Sequence, residues 1–73
     1  MVSLKDLKGL KVGDLVDIKL KDGKYYFTYT IVEIYIKKKS QVRKIKIIKD
    51  YIGIVDNILL DINTIEEIAI YDD

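Results

Sequence analysis

From Tyr25 to Ile36 the chain runs Tyr-Tyr-Phe-Thr-Tyr-Thr-Ile-Val-Glu-Ile-Tyr-Ile, with Glu33 the one charge. β-branched and aromatic side chains suit a pleated, half-buried surface, so this stretch predicts one long strand. Its two alternating faces are Tyr26, Thr28, Thr30, Val32, Ile34, Ile36 and Tyr25, Phe27, Tyr29, Ile31, Glu33, Tyr35. Each face is apolar over only part of its length. The strand must therefore bend, and the change of buried face is expected over residues 29–32. A turn over residues 37–41 returns the chain as a second strand, in which Ile45 and Ile47 alternate with Lys44, Lys46 and Ile48. The rest of the chain is expected to fold back onto this ribbon.

On the N-terminal side, Ser3-Leu4-Lys5-Asp6 has the spacing of a capping box, and Gly9 can end a helix. A short helical turn is expected over residues 3–8. Val16, Ile18 and Leu20 alternate with Asp17, Lys19 and Lys21, which predicts a half-buried strand. Asp22-Gly23 then predicts a two-residue hairpin turn of type I′. Beyond the ribbon, Lys49-Asp50 reads as a bulge or kink. Residues 51–55 read as continuing strand, with a tight bend or close backbone approach at Gly53. Asp56-Asn57 reads as a turn, and residues 58–62 as a short strand with Ile58, Leu60 and Ile62 inward. A helical or 3-10 turn over residues 63–67 precedes the last strand, residues 68–71.

The 73 residues are expected to form one domain, 1–73. A chain this short buries roughly 60% of its unfolded surface, so dense apolar packing, here fourteen isoleucines, or assembly must stabilise it. The sequence has no cysteine and no histidine, which removes disulfide staples and the usual zinc sites. The lack of cysteine fits a reducing interior, and a cytoplasmic location is expected. Neither a secretory signal nor an apolar run long enough to span a membrane is read in the chain.

The net charge of +1 conceals a strong segregation. Residues 37–49 hold seven bases (Lys37, Lys38, Lys39, Arg43, Lys44, Lys46 and Lys49) and no acid, while residues 50–73 hold seven acids and no base. A basic patch can therefore exist at almost zero net charge. The chain has no proline, so strand edges must be protected by lysines, by closure or by a partner.

Five strands with consecutive hairpins and a helical turn before the last suggest a small closed barrel. Val12-Gly13-Asp14-Leu15-Val16 is similar to the beginning of the first strand in many SH3-like domains. Leu20-Lys21-Asp22-Gly23-Lys24 is similar to the first turn of the Sm motif, and residues 62–70 resemble the family's ending of a short turn followed by a strand. The chain thus resembles the SH3-like and Sm-like small barrels. The resemblance implies an all-β, five-stranded barrel with a short N-terminal helical turn and a 3-10 turn before the last strand. The ligands of these families do not carry over. Sm-like proteins form their uridine pocket from an asparagine-bearing loop and an Arg-Gly or Lys-Gly step before the last strand; here residues 33–39 lack the asparagine and no Arg-Gly step exists. Without tryptophan there is no signalling-type groove for proline-rich peptides.

Two constellations bear on function. Lys37, Lys38, Lys39, Arg43, Lys44 and Lys46 form a ribbon suited to phosphate contacts. Because only one of them is arginine, sequence specificity should be weak. Tyr25, Tyr29 and Tyr35 could stack on bases of single-stranded nucleic acid. The expected activity is non-catalytic nucleic-acid binding, with RNA or single strands favoured. The alternative is a protein-interaction or homo-oligomeric assembly module. There the lysines guard an edge and pair with the acidic third, and the tyrosines form cross-strand pairs or an interface. The residue inventory argues against an enzyme: Ser3 and Ser40 have no evident base, and no glycine-rich phosphate loop is present. Asp56, Asp61, Glu66 and Glu67 are too sparse for a calcium loop. No cofactor, metal or small-molecule substrate is expected.

Overall fold

A computed structural model describes residues 9–37 and 41–71, with Lys37 and Gln41 described by backbone alone. The helical turn expected over residues 3–8 lies outside the described residues. The elements are β1 (Leu15–Leu20), β2 (Tyr25–Lys37), β3 (Gln41–Tyr51), β4 (Ile54–Asp61), a 3-10 turn (Ile62–Thr64) and β5 (Ile65–Ile70). They form one antiparallel sheet in the order β4-β3-β2-β1-β5. Among the described residues no helix is long and apolar enough to cross a membrane.

The alternation of β1 survives intact: Val16, Ile18 and Leu20 are buried, while Asp17 and Lys19 are half-buried on the other face. The following hairpin differs from the expected two-residue turn. Gly23 N–H donates to the Leu20 carbonyl at 3.0 Å, and Leu20 N–H donates to the Lys24 carbonyl at 2.8 Å. The loop therefore has three residues, a turn followed by Gly23 at φ +94°. The Asp22 carboxylate accepts from Lys24 N–H at 2.9 Å, so Asp22 works through its side chain and only Gly23 takes positive φ.

Strand β2 changes its buried face twice. Tyr26 pairs with Ile18 and Tyr29 with Val16, so Phe27 and Thr28 together oppose Asp17. Thr28 sits at φ 55°, and its N–H donates to the Asp17 carboxylate at 2.8 Å. A second bulge ejects Val32, because Ile31 pairs with Ile47 and Glu33 with Lys46. Tyr26, then Tyr29 and Ile31, then Ile34 thereby all reach the core. The second bulge falls within the expected window over residues 29–32; the first precedes it. Bulges bend a strand and re-aim its side chains.

The core joins Leu10 to Val16, Ile18, Leu20, Tyr29, Ile31, Ile45, Ile47, Leu60 and Ile65. Ile18, Ile31, Ile45 and Ile47 have no accessible surface, and burying each contributes about 1.5–3 kcal/mol. The sheet curls around these side chains but does not close. No ladder joins β4 to β5, which remain its two edges. The 3-10 turn carries the chain across the end of the sheet, where Lys21 N–H donates to the Thr64 carbonyl at 2.9 Å. Leu60 of β4 and Ile65 of β5 both belong to the core, so the two edges share buried side chains where no ladder joins them.

The turn expected at Asp56-Asn57 is instead strand, and the reversal falls at Ile52-Gly53, between the paired residues Tyr51 and Ile54. Both turn residues have positive φ, 46° and 88°, which is the type I′ geometry. The helical turn expected over residues 63–67 is shorter and earlier. It is capped by Asp61, whose carboxylate accepts from Asn63 N–H at 2.9 Å. Glu66 and Glu67 consequently lie in β5 rather than in a helical first turn.

Ile52 makes this turn a point of local strain. A β-branched residue in the left-handed region costs roughly 1–2 kcal/mol, and the Ile52 side chain is fully exposed, so no packing offsets that cost. Ile52→Asn should stabilise the chain by about 1 kcal/mol, raising the thermal midpoint by roughly 4–8 °C. Circular dichroism melts of the two proteins test this. An unchanged or lower midpoint would show that the turn carries no such strain.

Candidate nucleic-acid interface

The cationic residues are set out by the β2–β3 ladder. Ile45 and Ile47 point into the core, so Lys44 and Lys46 share the opposite, outer face. Lys46 pairs with Glu33 on β2 and Leu59 on β4; Lys44 pairs with Tyr35 and Asp61. Directly opposed residues of a ladder project from the same face. The outer face therefore carries two cross-sheet rows, Glu33-Lys46-Leu59 and Tyr35-Lys44-Asp61. A third bulge lies between them and the hairpin end. Ile36 pairs with Val42 and Tyr35 with Lys44, which leaves Arg43 outside the pairing and exposed. Lys38 and Lys39 lie outside the described residues, and the side chain of Lys37 is not among those described.

The acidic third engages other groups. The Asp56 carboxylate accepts from Tyr29 Oη at 3.3 Å. Glu66 lies 3.3 Å from Lys19 Nζ. Asp61 caps the 3-10 turn, although it borders Lys44 in the ladder. Among the described residues no ion pair joins an acid to Arg43, Lys44 or Lys46. The Tyr35 hydroxyl donates to Glu33, which fixes the ring beside Lys44. That hydrogen bond leads the causes that hold the Tyr35 pKa above its ordinary value.

The three tyrosines do not form one surface. Tyr35 is exposed at the cationic end of β2. Tyr25 lies ten residues away, roughly 30 Å along an unbent strand, and it pairs with Lys19 instead. Tyr29 is buried in the core. Lys49 Nζ lies 5.5 Å from the Tyr29 ring centre and 4.9 Å from that of Tyr51, and donates to the Phe27 carbonyl at 2.7 Å. Lys49 thus serves as a tether for the first bulge and is withdrawn from the outer face. Tyr25 instead stacks on exposed Phe27, with ring centres 5.1 Å apart and planes within 5° of parallel. Residue-type reasoning passed over Phe27. Its spacing of two from Tyr25, which puts both rings on one strand face, was the available signal.

Among the described residues two surface hollows are found, the first reaching Leu59 and Asp61 of the outer rows. One of about 540 Å³ is lined by Leu20, Lys21, Asp22, Leu59, Leu60, Asp61, Asn63 and Thr64. The second, about 420 Å³, lies between residues 9–14 and Ile70-Tyr71. Among the described residues no three carboxylates are grouped as a metal site would need. No protein-family model, no curated protein and no solved structure matches this chain.

Tyr29 makes stability depend on pH at the alkaline end. Burial, followed by the charge of Asp56 and their hydrogen bond, holds its hydroxyl above the ordinary value of 10.0. Lys19 is likewise raised above 10.5, first by its hydrogen bond to Glu66. A group whose pKa is higher folded than unfolded stabilises fully below the unfolded value and loses that contribution as pH rises through the folded one. Thermal midpoints should therefore hold from about pH 8 to pH 9.5 and fall above about pH 10. Tyr29→Phe, which keeps the ring, should make that fall shallower. Melts of both proteins across this range decide the matter, and identical slopes would exclude Tyr29 as a cause.

Proposed function

We propose that this chain is a non-catalytic nucleic-acid-binding module of weak sequence specificity. It contacts phosphates through Arg43, Lys44 and Lys46, together with Lys37, Lys38 and Lys39, which precede them in the sequence. One observation carries the reading. Three acids of the C-terminal third, Asp56, Glu66 and Asp61, are engaged by Tyr29, Lys19 and the 3-10 turn, while Arg43, Lys44 and Lys46 make no ion pair among the described residues. Lys44 borders Asp61 across the ladder, but the Asp61 carboxylate is turned to the 3-10 turn and forms no ion pair with Lys44 among the described residues.

Exposed Tyr35 beside Lys44 supports single strands over duplex, because an aromatic face stacks on an unpaired base. Tyr25 with Phe27 offers a second aromatic surface at the far end of β2. Buried Tyr29 has no part in the proposal. Lysine acts on phosphate as a point charge, and one arginine gives little means of reading base edges. We further read the sheet as an SH3-like or Sm-like small barrel left open between β4 and β5. Five antiparallel strands, the long β2–β3 pair and the 3-10 turn before the last strand support that reading. The absence of cysteine supports work in the cytoplasm.

Fluorescence titrations with single-stranded RNA, single-stranded DNA and duplex DNA at several salt concentrations test the proposal. With three to five phosphates contacted, log K should fall against log salt with a slope of about −2 to −3.5 for single strands. Lys44→Glu/Lys46→Glu should weaken binding at least about tenfold and flatten that slope. Lys11→Glu, at the hollow beside Ile70 and Tyr71 and outside the β2–β3 ladder, should leave both nearly unchanged. Absence of binding to all three nucleic acids at low salt would sink the proposal.

A further inference from the structure

Among the described residues strand β4 lacks most of the usual protections of a sheet edge, its charges being Asp56, held by Tyr29, and Asp61, which caps the 3-10 turn. The strand is eight residues long, Ile-Val-Asp-Asn-Ile-Leu-Leu-Asp, with no lysine, arginine or proline. Its ladder with β3 runs from Tyr51↔Ile54 to Lys44↔Asp61 without a bulge. Ile54, Val55 and Leu59 are all more than half exposed. Among the described residues its second side makes no strand pairing. A long, regular, apolar edge of this kind is a template for another strand.

The local geometry specifies how such a strand would sit. A two-residue turn is closed by the hydrogen bond between its flanking residues, here Tyr51 and Ile54. The alternation of an antiparallel ladder then turns the backbone groups of Ile54, Asp56, Ile58 and Leu60 toward β3. Those of Val55, Asn57, Leu59 and Asp61 point to the free edge. We propose that β4 pairs with β4 of a second copy, antiparallel and centred on Asn57, to make a two-fold dimer with a ten-stranded sheet.

Side-chain matching selects both the partner and the register. Centred on Asn57, the outer face sets Val55 opposite Leu59 of the second copy twice, around an Asn57 pair. The inner face sets Ile54 opposite Leu60 and Asp56 opposite Ile58. The two Asp56 residues are left as diagonal neighbours, roughly 7–8 Å apart, each with its carboxylate already accepting from Tyr29. Centring on Ile58 would instead place Val55 opposite Asp61 and Asn57 opposite Leu59, losing the apolar pairs. A head-to-tail contact between β4 and β5 would bring Asp56 and Asp61 to a strand carrying Glu66 and Glu67, with no base in either strand. Like charges facing across a ladder are destabilising. A two-fold axis normal to the sheet also sets both outer faces, and so both sets of Arg43, Lys44 and Lys46, on one side.

Sedimentation equilibrium of the full chain, without nucleic acid, tests the dimer. Wild type should associate reversibly at roughly 100 µM, and Leu59→Lys should weaken association at least about tenfold because it installs the missing edge charge. Leu59 is exposed, so the variant should keep its fold by circular dichroism. The register is tested by cross-linking. In an Asn57-centred ladder the two Asn57 Cα atoms lie about 5.5 Å apart, within disulfide range. Under mild oxidation Asn57→Cys should form a covalent dimer rapidly, whereas Asn63→Cys in the 3-10 turn should not. A chain that stays monomeric to about 1 mM would overturn the proposal. So would a dimer indifferent to Leu59→Lys, or equal cross-linking by the two cysteine variants.

Discussion

Strand β2 is too long to lie flat over so small a core, and the rest of the fold depends on how it bends. A regular strand buries every second residue, which would commit either the odd or the even side chains of β2 to solvent. Two bulges break that parity, so Tyr26, Tyr29, Ile31 and Ile34 all pack inward. The first bulge forces Thr28 into the left-handed region, and three groups from distant parts of the chain hold it there. Asp17 of β1 accepts from Thr28 N–H and from the Tyr71 hydroxyl, at 2.8 Å in each case. Lys49 of β3 binds the Phe27 carbonyl. One carboxylate thus joins the bulge to the end of the chain, and one ammonium joins it to β3.

This bend also decides what the candidate site contains. Because Lys49 turns inward to the bulge and the Tyr29 and Tyr51 rings, it leaves the cationic surface to residues nearer the hairpin. The bulge at Arg43 acts in the opposite sense, taking a side chain out of the ladder toward solvent. Cations adjacent in sequence therefore divide into a structural tether and a solvent-facing group. The local backbone, not the charge run, makes the division.

Much of the fold was legible because burial patterns with period two are hard to satisfy in more than one way. Alternation alone sets Val16, Ile18 and Leu20 on one face of β1, and Ile45 with Ile47 on one face of β3, and both faces are the buried ones. The turns were less legible. Asp56-Asn57 has favourable turn chemistry, whereas isoleucine at φ 46° is a poor turn residue. The core overrides both preferences. A turn at Asp56-Asn57 would slide the ladder until Ile47 faced Glu66, burying a carboxylate beside a residue with no accessible surface. The turn at Ile52-Gly53 sets Ile47 against Ile58 and Ile45 against Leu60. Charge segregation was equally visible in the sequence, but its meaning was not. Whether lysines face acids depends on register, and an error of one turn reassigns every cross-strand neighbour.

The open seam follows from the same competition between packing and pairing. Three residues, Ile62–Thr64, separate β4 from β5, and they cross the end of the sheet instead of reversing as a hairpin. Asp61 caps the 3-10 turn, and its carbonyl accepts from the Thr64 hydroxyl at 2.7 Å. That local bonding commits the chain to leave β4 and join β1 at the opposite edge. Leu60 and Ile65 then satisfy the core from both rims, so closing the ladder would bury little further apolar surface. The unmet demand is polar: the backbone groups along the outer side of β4 have water as their alternative partner. Another strand satisfies those groups while also covering Val55 and Leu59, which water does not. An incompletely closed sheet can therefore be complete as a core while its edge backbone stays open to water, and it is on that difference that the proposed pairing of β4 rests.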